Sequence, residues 1–125
     1  MTATDSGIRM MQIAAAAADS KGGEDLVGLD VSLPLPLVDI FLLVTGRSER
    51  NVAAIADEIE DRLLEAGFKR LRREGRNEAR WILLDFGDLV VHVFHEQERV
   101  FYGLERLWKD CPVVPIELPA RAQAE

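Results

Sequence analysis

The chain has 125 residues, 48% of them apolar, and 22 acidic against 15 basic side chains give a net charge of −7. That length suits one domain with a true core and is too short for two, and the apolar content excludes wholesale disorder. The acidic balance argues against binding bare nucleic acid without a local basic patch, and it favours a basic protein as partner.

In chain order, Met1 to Gly7 reads as a frayed end. Ile8 to Ser20 is predicted helical, with Ile8, Met11, Ala15 and Ala18 on one face, and Lys21-Gly22-Gly23 ends it. The alanine run Ala14 to Ala18 lacks the basic flank and leucine-rich core of a signal peptide, and no run approaches a membrane span. Glu24 to Val31 is a plausible strand, and the prolines of Ser32 to Pro36 make a loop. Asp39 to Thr45 is a continuous apolar run of strand length, which predicts a buried strand.

Ser48 is placed to cap a helix over Glu49 to Ala66, whose apolar stripe is Val52, Ile55, Ala56, Ile59, Leu63 and Ala66. Gly67 suits its C-terminal end. Phe68 to Leu71 reads as a short strand. Lys69, Arg70, Arg72 and Arg73 form the one basic cluster, read as a solvated edge strand ahead of a nucleic-acid patch.

Trp81 to Asp85 and Leu89 to Phe94 are two strands joined by Phe86-Gly87-Asp88, which predicts an antiparallel hairpin. The second strand is apolar on both faces and therefore central. Leu104, Leu107 and Trp108 have helical spacing over Gly103 to Asp110. The single cysteine, Cys111, permits neither an internal disulfide nor a cysteine-based metal site and suits a reducing cytoplasm. The arrangement is one domain over residues 1–111, then a proline-rich, mostly unstructured tail over 112–125 whose Val113, Val114 and Ile116 are free to dock back. The fold class is α+β (mixed α/β), with one central sheet.

Three constellations bear on chemistry. Gly46-Arg47-Ser48 between strand and helix, with Asp85 and Asp88 later, has the parts of a nucleotidyltransferase site: an anion-binding helix start and paired acids for a hard cation. Three-residue spacing puts the two acids on opposite faces of a regular strand, so the N-cap reading of Ser48 is preferred. His92 and His95 likewise diverge, and His92 between two valines reads as a hydrogen-bonded core histidine. No nucleophile–base arrangement is readable. Trp81, Tyr102 and Trp108 suit either the core or an interface anchor, and Asp85, Arg99 and Glu105 add the charge of a polar rim.

The hairpin pattern is Trp81, Leu83, Asp85, Gly87, Asp88, Val90, Val91, His92 and Phe94. It is followed by Arg99, Phe101, Tyr102, Leu104, Glu105, Leu107 and Trp108. With Asp39, Phe41, Thr45, Gly46, Ser48 and Arg50 upstream, it resembles the ribosomal silencing factor S family, also called Iojap-like. The resemblance implies a mixed sheet flanked by helices, shaped like nucleotidyltransferase domains. It implies a cytoplasmic, homodimeric, non-enzymatic factor without cofactor or metal. Such a factor binds the large ribosomal subunit through ribosomal protein L fourteen. It blocks joining of the small subunit and represses translation under nutrient limitation. The partner-binding residues it implies are Trp81, Asp85, His92, Arg99, Tyr102, Leu104 and Glu105. The rivals are a nucleotidyltransferase-like enzyme and a dimeric adaptor for another protein.

Overall fold

A computed structural model of the chain describes residues 4–35, 37–75, 80–97 and 111–118. The element order is α1 (Asp5–Ser20), β1 (Glu24–Asp30), β2 (Ile40–Gly46), α2 (Glu49–Glu65), β3 (Arg72–Glu74), β4 (Trp81–Asp85), β5 (Leu89–His95) and β6 (Val113–Val114). The strands form one sheet in the order β3-β4-β5-β2-β1-β6. Only β2 and β5 run parallel; the remaining neighbours are antiparallel. The fold is therefore α+β with a mixed sheet.

Strand alternation divides the apolar side chains into two layers. Ile40, Leu42 and Val44 of β2, Ile82 and Leu84 of β4, and Leu89, Val91 and Val93 of β5 face α1 and α2. Leu29, Val31, Phe41, Leu43 and Val90 form a second cluster on the opposite face. The strands β2 and β5 lie at the centre and are buried almost throughout, as their unbroken apolar runs require.

Helix α1 buries a wider stripe than one helical face supplies: Met10, Met11, Ala14, Ala15, Ala17 and Ala18 are all inside. Alanine makes this compatible with close packing on both the sheet and α2. The helix begins earlier than sequence spacing suggests. Thr4 is its N-cap and accepts from the Gly7 amide at 3.1 Å. Asp39, just ahead of β2, in turn accepts from the Thr4 amide at 3.0 Å and from its hydroxyl. The expected frayed end is thus tied to the domain from Thr4 onward by a contact 35 positions away in sequence.

One further boundary differs from expectation. The short strand after α2 is Arg72–Glu74, not Phe68 to Leu71. Phe68 instead packs against the helical core, below the guanidinium of Arg9. The proline-rich tail docks back through the residues named for it: Val113 and Val114 form β6, which pairs with Gly28 and Leu29, and Val114 and Ile116 pack against the core. Gln12 holds it from the helix: its side-chain amide donates to the Pro115 carbonyl at 3.0 Å and accepts from the Glu117 amide at 3.0 Å. No periodicity could reveal a two-residue strand fixed by a side chain more than 100 positions away.

Candidate functional site

The hairpin β4–β5 closes as expected. Phe86 donates its amide to the Leu89 carbonyl at 2.9 Å, and Gly87 turns the chain with φ +90°. Asp85 fixes this turn, because its Oδ1 accepts from the Gly87 amide at 2.8 Å. Its Oδ2 lies 3.8 Å from Arg72 on the edge strand. Asp88 sits in the turn, and its carbonyl accepts from the amides of Asp39 and Ile40, stitching the hairpin to the start of β2. The two acids have separate structural duties. Among the described residues, no group of three side chains could hold a metal ion.

Trp81, Leu83 and Asp85 alternate onto the face turned away from the helices, and all three are half-buried. Across the register, Trp81 lies opposite Phe94 and Leu83 opposite His92. An aromatic group results: Trp81 meets Phe94 edge-on at 4.9 Å, and His92 meets Phe41 edge-on at 4.8 Å. Such contacts add to the stability gained by burial itself.

His92 is 6% exposed. Its Nδ1 accepts from the Trp81 indole N–H at 3.3 Å, while Nε2 is buried without a partner in the chain. Burial pushes its pKa down from 6.5 to about 4, so the ring is neutral near neutral pH. The core-histidine reading is therefore the one this geometry fits. His95 points to the other face, where its Nδ1 accepts from the Gln97 amide.

The strand–helix turn Gly46-Arg47-Ser48 has a complete structural explanation. Ser48 Oγ accepts from the Asn51 amide at 3.0 Å, capping α2, and Asn51 Oδ1 accepts from the Arg47 amide at 3.0 Å, which holds the residue before the cap. A side chain at Gly46 would place its Cβ 2.7 Å from Val52 Cγ2, so glycine is needed for helix approach.

The three arginines of the basic cluster are ion-paired within the chain. Arg70 pairs with Glu60 at 3.0 Å, and Arg73 with Asp57 at 3.0 Å and Glu60 at 2.9 Å. Arg72 lies 3.1 Å from Glu74. Partial burial pulls the Arg73 guanidinium down, but Glu60 and Asp57 outweigh it and its pKa is raised. Arg72 and Arg73 are edge-strand charges, bonded to their own strand and to α2, and Arg70 just ahead of them is also held by α2.

Of the expected partner-binding residues, the structure brings Trp81, Asp85 and His92 onto one face of one hairpin. Arg99, Tyr102, Leu104 and Glu105 lie outside the described residues, as does the helix expected over 103–110. Leu83 and Phe41 complete the same face. The alternation of β4 and the β2–β5 register are the signals that place them there.

Residues 4–125 match the family described as "Ribosomal silencing factor during starvation". The chain belongs to this family. It is 46% identical over 108 residues to a ribosomal silencing factor of Bacillus subtilis, covering 86% of this chain and 92% of that one. Two solved structures share the fold of this silencing-factor chain. A Chromobacterium violaceum protein superposes with a TM-score of 0.78 at 32% identity, over 91% of this chain and 90% of that one. A Bacillus halodurans protein gives 0.76 at 42% identity, over 86% and 98%. The family resemblance carried by the hairpin residues and the expected α+β fold both hold for this silencing factor.

Proposed function

We propose that this silencing factor acts by occupancy. As a homodimer it binds the large ribosomal subunit through ribosomal protein L fourteen and stands where the small subunit would dock. The observation that carries the reading is the face of β4 turned away from α1 and α2, where half-buried Trp81 and Leu83 adjoin the carboxylate of Asp85. An aromatic anchor with an acidic edge suits a basic protein surface: the apolar groups supply affinity, and the charge supplies orientation and association rate. The net charge of −7 and the ion-paired arginines Arg70, Arg72 and Arg73 support a protein partner over ribosomal RNA. Steric exclusion needs no catalytic group, in keeping with Asp85 and Asp88 serving the hairpin turn.

Sedimentation with separated ribosomal subunits tests this. The factor is expected to travel with the large subunit and not with the small one. Trp81→Ala should weaken that association by roughly 2 kcal/mol or more, as loss of an interface anchor does. A variant that keeps its circular dichroism spectrum and binds as tightly as the parent would remove Trp81 from the interface. Light scattering of the free factor, showing a monomer at every concentration, would overturn the homodimer.

A further inference from the structure

We infer that His92 is a positioning residue, which fixes the Trp81 indole by accepting its N–H and does not itself meet a partner. The inference deepens the function proposed above and rests on it only where ribosome binding is the readout. Trp81 and His92 stand on diagonal positions of an antiparallel pair, since Trp81 is opposite Phe94 and His92 opposite Leu83. Diagonal neighbours on one face are within reach of aromatic side chains. The 3.3 Å contact joins Nε1 of the indole to Nδ1 of the imidazole. An indole N–H can only donate, so Nδ1 is the unprotonated nitrogen and the ring proton sits on Nε2.

The acceptor is itself held. His92 is edge-on to Phe41 at 66° and to Phe94 at 68°, and its register partners are Leu43 on β2 and Leu83 on β4. With only 6% exposure, it lies behind the surface a partner would touch. Trp81 is the half-buried member of the pair. The terminal torsion of a tryptophan is broad, so a fixed acceptor on one edge selects one indole orientation. A preorganised anchor binds more tightly than one that must be ordered on contact. The identity of the residue points the same way. Nε2 is buried without a partner in the chain, which costs stability, and phenylalanine would fill the site without that cost. What histidine adds is the acceptor at Nδ1.

The experiment has two parts. In the intact protein at neutral pH, nitrogen-15 spectra of the imidazoles, with His92 assigned by means of His95→Gln, should show Nδ1 unprotonated and Nε2 protonated. The Trp81 indole N–H resonance should shift in His92→Phe and partly return in His92→Asn, whose side-chain oxygen falls near the Nδ1 position. Large-subunit binding should then weaken about tenfold in His92→Phe, the scale of one oriented hydrogen bond, and recover in part in His92→Asn. With Trp81→Phe already in place, His92→Phe should cost nothing further. A proton on Nδ1 would overturn the inference. So would full-strength binding by His92→Phe, or an equal loss in both backgrounds. If the parent protein does not bind the large subunit, the functional reading falls, and the tautomer and indole shift still decide the positioning role.

Discussion

His92 shows how far a single residue could be read. Between two valines it was legible as a core histidine, and the structure buries it with one nitrogen satisfied. Its bond to Trp81 was not legible, because a diagonal contact depends on the hairpin register and not on spacing within one strand. Burial gives it a consequence in solution. The folded pKa is about 4 against 6.5 in the unfolded chain, so between those values the unfolded chain takes up a proton that the folded one declines. Stability is therefore undiminished above 6.5 and falls as pH drops through that window, by on the order of 3 kcal/mol once pH reaches 4. Urea denaturation from pH 7 to 4 should show a shallower loss for His92→Phe than for the parent. Parallel curves would mean that the imidazole titrates normally.

Among the elements, α2 was legible nearly to the residue, because a cap, an apolar stripe and a terminal glycine all agreed. Its first turn rests on Ser48, and Ser48→Ala should lower stability by about 1 kcal/mol in thermal or denaturant unfolding. No change would place the cap elsewhere. Gly46→Ala should cost more, about 1–3 kcal/mol, since the new Cβ meets Val52 in a packed junction. The short strands were less legible. β3 begins beyond the basic stretch read as a strand, fixed by pairing of Arg72 with Asp85 and Glu74 with Leu83. β6 has too few residues to carry a pattern and depends on Gln12. Gln12→Ala should therefore raise amide exchange at Val114 and Glu117, with local opening easier by roughly 1 kcal/mol, while the core amides of β2 stay protected. Exchange unchanged at those positions would show that β1 alone holds the tail.

For the whole molecule, the order of elements and the antiparallel hairpin were readable, but the sheet order was not. Placing β5 beside β2 in parallel, with β1 and β6 beyond, is a tertiary choice set by which faces must be covered. That choice leaves both described helices on one side of the sheet and turns the half-buried Trp81, Leu83 and Asp85 to the other. Three of the seven expected partner-binding residues can be located there, and the remaining four lie beyond the described part of the chain. We propose that this face excludes the small subunit by occupancy. It is tested most directly by following subunit joining by light scattering, with the factor preincubated with the large subunit. Fewer joined ribosomes are expected as the factor approaches one copy per large subunit, with joining restored by Trp81→Ala. Undiminished joining in the presence of saturating, large-subunit-bound factor would contradict it.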